Sequence, residues 1–172
     1  AGFGFEARDV DVARLDDASF QKLWKAWLEN HVLALRGQSL DAAQFHAFAR
    51  RFGKPEPHVI NQFHHPAEPD ILVLSNVLRD GQPTGLQDAG TYFHTDYSYL
   101  DVPARCTTLY SLTVPSTGGA TLFANQCAAY DDLTETMKTR IEPLIGRHHN
   151  GNRDDLNRNS RTVASVLTAD QE

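Results

Sequence analysis

The residues best suited to chemistry lie in the aromatic segment from Tyr92 to Tyr99, where His94 and Asp96 stand two positions apart. Aromatic residues favour β-strands, and side chains two positions apart on a strand project to the same face. His94 and Asp96 are therefore predicted to lie side by side, with Thr95 pointing away. An imidazole nitrogen and a carboxylate oxygen could then bind one metal ion. The spacing alone is weak evidence, because most His-x-Asp pairs are incidental surface or turn residues.

A nitrogen ligand and an oxygen ligand with open positions beside them suit Fe(II), and two histidines with one carboxylate form the facial triad of non-haem iron oxygenases. Such a site needs a third ligand. The pairs His64-His65 and His148-His149 are candidates, but adjacent histidines on a strand or loop usually point apart. His31 and His46 are predicted to be structural residues at helix edges.

Helical patterns occur in three parts of the chain. Apolar residues recur at helical spacing over 18–30, and the short apolar run Val32–Leu35 that follows is typical of a buried strand. A second helix is predicted from a capping box at Asp41 to a stop at Gly53. Residues 128–141 indicate two further short helices.

The remaining regular structure is predicted to be β. Ile71–Val77 has the residue types of an internal strand, and 79–90 is predicted to be a loop. Thr107–Val114 alternates polar and apolar residues as a half-buried strand does. Pro115–Gly119 predicts a turn, and Thr121–Ala124 a return strand.

The bulk properties fit one globular domain over residues 1–172, since 41% of the residues are hydrophobic and can form a core. The stretch 147–161 is mostly Asn, Arg, Asp and His, so a mobile surface loop is expected there, or a docking segment for a partner. Cys106 and Cys127 form no metal or disulfide motif; we expect them to be small buried hydrophobes in a reducing compartment.

Charge and hydropathy narrow the range of partners. The formal net charge is −6 and no Lys/Arg cluster occurs, which argues against nucleic acid as a partner. No apolar run reaches the length of a membrane span, and the first ten residues lack the features of a signal peptide. The expectation is a soluble cytoplasmic protein that acts on a small molecule, with homo-oligomer formation left open.

Five separated segments share their order and spacing with one known family. They are Val32–Arg36, Phe48–Gly53, His94-Thr95-Asp96, Val114–Asn125 and Ala128–Tyr130. Together they resemble the taurine and 2,4-D dioxygenase family of Fe(II)- and 2-oxoglutarate-dependent oxygenases, and the resemblance extends over nearly the whole chain.

The resemblance implies an α+β fold with a mainly β core, a double-stranded β-helix (jelly roll) with flanking helices that is incomplete in this chain. It implies that His94 and Asp96 bind Fe(II), with a histidine as third ligand expected beyond Glu172. It also implies that the hydroxyl of Thr121 donates a hydrogen bond to the distal carboxylate of 2-oxoglutarate. An arginine later in the polypeptide would form an ion pair with the same carboxylate.

The resemblance further implies three substrate contacts. His58 falls where the taurine enzyme contacts the sulfonate, Asn61 replaces a substrate-side tyrosine, and Tyr97 follows the aspartate ligand where substrate approaches iron. Gly90 replaces an asparagine of that enzyme, which together with Asn61 argues against taurine itself.

The function implied is O2-dependent hydroxylation of a small, anionic organic substrate (a sulfonate, sulfate ester or aryloxyacetate), with release of succinate and CO2. The alternative is a catalytically inactive metal-binding jelly-roll module that acts as a sensor or assembly protein. A histidine and an arginine further along the polypeptide would favour the enzyme.

Overall fold

A computed structural model describes most of the chain. The described residues are 3–87, 89–90 and 92–148, together with the strand at 163–164. Contacts divide the chain into two units, which are treated separately below. The first unit is Ala1–Thr91 with Thr108–Asn125, and the second is Tyr92–Thr107 with Gln126–Glu172. Across the described residues, no helix has the length and apolar character needed to cross a membrane.

The first unit begins with a parallel pair of strands joined through a helix. Strand β1 (Phe5–Ala7) lies parallel to β2 (Leu33–Leu35), and helix α1 (Asp17–Asn30) makes the crossover that parallel strands require. The helix and β2 were both predicted. β1 was not, because three residues carry too little pattern to identify a strand.

Both ends of α1 have a local cause. The Asp16 carboxylate accepts a hydrogen bond from the Ser19 backbone N–H at 2.7 Å, which satisfies one of the unpaired donors of the first turn. At the other end His31 adopts φ 65°, and its N–H donates to the Trp27 carbonyl at 2.7 Å. The predicted helix-edge role of His31 is confirmed.

Helix α2 (Ala42–Ala49) starts with the predicted capping box: Asp41 and Gln44 each accept a hydrogen bond from the other's backbone N–H. It continues into a 3₁₀ turn, Arg50–Phe52, and Gly53 ends it with φ 148°, a conformation that favours glycine.

The core of the first unit is aromatic and packs mainly around α1 and α2. Its buried apolar residues are Ala7, Val12, Phe20, Leu23, Phe48 and Phe52. The Phe20 and Phe52 rings meet edge to face at 5.1 Å, and Trp24 stacks on Phe52 at 5.7 Å. Arg51 covers the cluster, with its guanidinium 4.2 Å from the Phe20 ring centroid. The expectation of a mainly β core is thus wrong for the described residues.

The predicted strand Ile71–Val77 is wrong as a continuous strand. Among the described residues, this stretch forms two isolated bridges, Leu72 with His64 and Leu74 with Leu86. The predicted loop at 79–90 instead contains part of a hairpin.

That hairpin consists of β3 (Leu78–Arg79) and β4 (Gln82–Pro83), which pair antiparallel. Asp80 and Gly81 make the turn with φ of 51° and 76°. An Asp-Gly pair is a strong hairpin signal, so the loop predicted for 79–90 was wrong at this point.

The predicted strands Thr107–Val114 and Thr121–Ala124 are also wrong, since neither stretch pairs as a strand among the described residues. Most of their side chains are exposed. The chain bends at Ser116-Thr117 within the predicted turn, and Gly118 and Gly119 have φ of 74° and 70°. A Cβ on Gly119 would lie 2.9 Å from Cγ of Pro115, so glycine is needed there for space as well.

The second unit contains α3 (Gln126–Asp131) and α4 (Glu135–Ile141), the two short helices expected. Thr134 caps α4 by accepting from the Met137 N–H at 3.3 Å. Strand β5 (Arg147–His148) pairs antiparallel with β6 (Val163–Ala164). The rest of the predicted mobile loop at 147–161 lies outside the described residues.

Two further expectations are settled in part. Cys106 is half-buried, as expected of a small hydrophobe, but Cys127 is exposed, so the same expectation was wrong for it.

The described strands form three separate two-stranded sheets alongside the helices. The described part is therefore α+β, and the jelly roll stays a prediction.

Candidate metal site

The segment that carries the candidate ligands is irregular up to Thr95 and then forms a turn over Asp96–Tyr99. The predicted strand is wrong at this point. The Leu100 N–H donates to the Tyr97 carbonyl at 3.0 Å, and Tyr97 itself adopts a left-handed φ of 55°. Any proximity of His94 and Asp96 must therefore have a cause other than strand alternation.

Hydrogen bonding fixes the orientation of His94. Its Nδ1 lies 2.7 Å from the backbone carbonyl oxygen of Tyr92, and a carbonyl can only accept, so Nδ1 carries a proton. The ring therefore presents Nε2 at its other side. Nε2 lies 3.0 Å from Oδ1 of Asp96.

The Asp96 carboxylate is oriented in the same manner. Its Oδ2 accepts a hydrogen bond from the Thr107 hydroxyl at 2.6 Å, which turns Oδ1 toward His94. The prediction that the two side chains lie side by side is confirmed, although their outer hydrogen bonds produce the arrangement.

The donor atoms fit a divalent ion. The 3.0 Å between Nε2 of His94 and Oδ1 of Asp96 matches adjacent ligands of an octahedral ion: bonds of about 2.1 Å at right angles separate two ligand atoms by about 3.0 Å. Imidazole and carboxylate suit Fe(II) and similar metals, and each ligand already has the outer hydrogen bond that metal ligands usually make. The two side chains are 41% and 42% exposed, so an ion and its other ligands can reach them.

In the described part of the chain, no third His, Cys, Asp or Glu joins these two to complete a metal-binding group. The third ligand beyond Glu172 stays a prediction. With a proton on Nε2, His94 and Asp96 form an ion pair, and a metal ion would take that proton's place.

Two tyrosines border the pair. Burial raises the pKa of the Tyr99 phenol and the negative charge of Asp96 raises it further, so Tyr99 remains a neutral hydroxyl at physiological pH. The Tyr97 and Tyr99 rings lie 5.9 Å apart. Left-handed backbone in an aromatic residue is unfavourable and tends to persist at functional sites.

Nearly the whole chain matches the model of one protein family. Residues 1–171 match the model of the family described as Taurine catabolism dioxygenase TauD, TfdA family. The chain belongs to the TauD/TfdA family.

Relatives within the TauD/TfdA family include named enzymes. An (S)-phenoxypropionate/alpha-ketoglutarate-dioxygenase of Sphingobium herbicidovorans is 37% identical over 86% of this chain and 50% of its own length. An alpha-ketoglutarate-dependent sulfate ester dioxygenase of Pseudomonas putida is 29% identical over 86% of this chain and 46% of its own length. The chain thus spans about half the length of the curated relatives it matches.

A solved structure is also similar to this TauD/TfdA-family chain. It is the crystal structure of AAD-2 in complex with Mn(II) and N-oxalylglycine. The two share a TM-score of 0.65 and 26% sequence identity over 87% of this chain and 54% of that one.

The alternative histidines of the TauD/TfdA chain have other partners. Nε2 of His64 lies 2.8 Å from the His58 carbonyl oxygen, and Nδ1 of His65 accepts from the Glu68 N–H at 3.2 Å. These contacts agree with the expectation that adjacent histidines do not bind one ion together. Among the described residues, His148 belongs to no group of three possible metal ligands. His149 lies outside the described residues.

His46 has the structural role predicted for it. Its Nδ1 lies 2.6 Å from a Glu68 oxygen and its Nε2 2.9 Å from an Asp70 oxygen. Because the two nitrogens face opposite directions, the three side chains join α2 to the segment after it and do not surround an ion.

The other predicted site residues belong to the first unit, whereas His94, Asp96 and Tyr97 belong to the second. Nδ1 of His58 accepts from the Ile60 N–H at 3.1 Å, Asn61 opens the short helix Asn61–Phe63 and is exposed, and Thr121 is exposed. Their roles toward cofactor or substrate stay predictions.

Sequence reasoning missed Thr107, which contacts Asp96 from eleven positions away. No spacing rule relates residues so far apart outside regular structure. Only its polar type, within a stretch otherwise predicted as a strand, could have drawn attention to it.

Proposed function

We propose that this chain carries two ligands of the iron site of an Fe(II)- and 2-oxoglutarate-dependent dioxygenase, with His94 and Asp96 as those ligands. The observation that carries the proposal is the pair of ligand atoms 3.0 Å apart, each on a side chain whose other polar atom is held by a neighbour. The names of the relatives support the cofactor, and AAD-2 was solved with a divalent ion and an analogue of 2-oxoglutarate.

Fe(II) with 2-oxoglutarate would supply the oxidant for C–H hydroxylation by O2, with succinate and CO2 as co-products. The proposed role of this chain's residues is to hold the ion and to orient 2-oxoglutarate. His94 and Asp96 would occupy two coordination positions of the ion. Thr121 stays the predicted donor to the distal carboxylate of 2-oxoglutarate, whose charge a guanidinium outside this chain would balance.

The substrate we propose is a small organic anion of the aryloxyalkanoate or sulfate ester type, with sulfonates as a third class. The phenoxypropionate and sulfate ester dioxygenases among the relatives support this class. His58 and Asn61 carry groups that can donate a hydrogen bond to an anionic group, and Tyr97 directly follows the candidate ligand Asp96 in the sequence.

The test uses the complete polypeptide that the gene encodes. Anaerobic addition of Fe(II) and 2-oxoglutarate is expected to produce a visible absorption band, and oxygen with a matching substrate is expected to release succinate. The substrate panel contains aryloxypropionates, aryloxyacetates, alkyl sulfates and sulfonates. Asp96→Asn and His94→Ala should each lose succinate formation by more than the roughly 10- to 100-fold that loss of an outer hydrogen-bond partner costs.

Asp101→Asn is the matched control, because Asp101 is an exposed aspartate five residues further along the same segment and should retain activity. Absence of both the band and succinate in the wild-type protein would refute the proposal. Metal binding without succinate from any substrate would instead favour the inactive metal-binding module.

A further inference from the structure

We infer that Thr107 is a positioning residue for Asp96, and that its hydroxyl holds the carboxylate in the orientation that binds the metal. The inference rests on the proposed function and adds a residue to that site. The Thr107 Oγ1 donates to Oδ2 of Asp96 at 2.6 Å, while Oδ1 of the same carboxylate lies 3.0 Å from Nε2 of His94.

The bond is of a strong type. A hydroxyl that donates to a carboxylate at 2.5–2.7 Å makes a charge-assisted hydrogen bond, roughly twice as strong as one between neutral groups. A hydroxyl has one proton to give, so donation to Oδ2 uses it fully. Thr107 therefore distinguishes the two carboxylate oxygens and leaves Oδ1 as the one directed to His94.

The carboxylate needs such a partner because its contact with His94 engages Oδ1 and leaves Oδ2 to be held by another group. The torsion that turns an aspartate carboxylate has a broad energy profile without sharp minima. The Asp96 side chain is 42% exposed, so packing does not fix that torsion, and the backbone around it is a turn. The hydroxyl of Thr107 supplies the missing restraint.

His94 has an equivalent outer partner in the Tyr92 carbonyl, 2.7 Å from Nδ1. That partner is backbone, which no side-chain substitution removes. Thr107 is thus the side chain through which the outer hydrogen bonding of this pair can be tested directly.

A merely structural Thr107 would tie residues 96 and 107 together and affect stability alone. A positioning role also affects the affinity for metal. The experiment therefore measures binding of Mn(II) alone to the complete polypeptide, by the electron paramagnetic resonance signal of the free ion, beside the melting temperature of the metal-free protein.

Thr107→Val removes the hydroxyl and keeps the shape, and it is expected to weaken Mn(II) binding about 10- to 100-fold. Thr107→Ser keeps the hydroxyl and should bind Mn(II) as the wild type does. Thr113→Val is the control, because Thr113 is an exposed threonine on the following stretch and should also leave binding unchanged. If the valine variant does not fold, Thr107→Ala against Thr107→Ser gives the same comparison.

Wild-type affinity in Thr107→Val, or an equal loss in Thr107→Ser, would overturn the inference while the proposed function stands. Absence of Mn(II) binding by the wild-type protein would refute the proposed function, and the role of Thr107 with it.

Discussion

At the scale of single residues, a hydrogen bond to one polar atom of each candidate ligand determines which other atom is available to a metal ion. The Tyr92 carbonyl takes one nitrogen of His94, and the Thr107 hydroxyl takes one oxygen of Asp96. The remaining nitrogen and oxygen face each other at 3.0 Å. The side chains of His94, in an irregular segment, and Asp96, in the turn that follows, thereby become a candidate pair of metal ligands with a defined separation.

A second residue-scale effect concerns Asp16, the cap of α1. The backbone N–H of Ser19 is the main cause that holds the pKa of Asp16 below its ordinary value of 3.8. Because the folded-state pKa is lowered, the stabilisation is complete above the unfolded-state pKa and is lost as the pH falls from 3.8 through the lower folded-state value. We expect the melting temperature of the wild-type protein to fall over that range.

Asp16→Asn tests the origin of this loss, because asparagine caps a helix about as well as aspartate but does not titrate. The variant should lose less stability than the wild type over the same acidic range, whereas Asp16→Ala should be less stable already at neutral pH. Identical pH profiles of the wild type and Asp16→Asn would show that the cap does not contribute this pH dependence.

The candidate pair shows how far residue types alone can predict a site. The proximity of His94 and Asp96 was predicted correctly from the sequence, but the predicted strand does not form at these residues. A turn takes its place, with Tyr97 in a left-handed conformation. The partner of Asp96 could not be predicted, because a hydrogen bond to Thr107 depends on how the chain between them folds.

At the scale of elements, Gly85 lies where two backbone stretches are close together. The Leu86 N–H donates to the Val73 carbonyl at 2.8 Å, and the Ser75 N–H donates to the Leu86 carbonyl at 3.1 Å. A Cβ on Gly85 would lie 2.7 Å from the Val73 carbonyl oxygen and 2.8 Å from the Ser75 nitrogen. Both are backbone atoms that cannot move without breaking the bridge.

Gly85→Ala is therefore expected to lower the free energy of unfolding by about 1–3 kcal/mol, the usual cost of overpacking. Equilibrium unfolding in urea measures it. The control is Gly81→Asn: Gly81 has open space around its Cβ position and a φ of 76° that asparagine tolerates, so its cost should be smaller. Equal costs for the two substitutions would contradict the steric explanation.

Helices were predicted better than strands for a physical reason. The caps at Asp16, Asp41 and Thr134 act within three residues, so the sequence nearby contains the information. A strand exists only where a second segment pairs with it, and Thr107–Val114 has the alternation of a strand but no strand pairing among the described residues. The local sequence pattern of one strand cannot show which other segment pairs with it.

At the scale of the whole molecule, an apolar surface lies exposed on the 108–125 stretch of the first unit. Its large exposed residues are Leu109, Leu112, Val114, Leu122 and Phe123. Leu112 is 83% exposed and Leu122 is 72% exposed. Single exposed apolar side chains are common on protein surfaces, but five in one short stretch are not.

We expect the 172-residue polypeptide, prepared by itself, to bind a hydrophobic dye and to self-associate at micromolar concentration. Leu112→Glu combined with Leu122→Glu should reduce both, as measured by dye fluorescence and light scattering. The control, Thr113→Glu with Thr117→Glu, adds the same charge at exposed polar positions of that stretch. An equal reduction by the control would attribute the effect to net charge and not to the apolar surface.

Three whole-molecule expectations stay predictions: one domain over residues 1–172, a cytoplasmic location and the oligomeric state. Family membership constrains the expected chemistry more than it constrains these properties, because their determinants need not lie in the proposed iron site.

The parallel pairing of β1 with β2 has a consequence for the order of folding. An antiparallel hairpin can close locally, but Phe5–Ala7 meets Leu33–Leu35 only after the intervening polypeptide has reversed its direction and returned. This contact spans nearly thirty residues, so its loop-closure entropy must be overcome before its hydrogen bonds contribute. We therefore expect β1 to pair late in folding, with amide protection that depends on α1 being formed first.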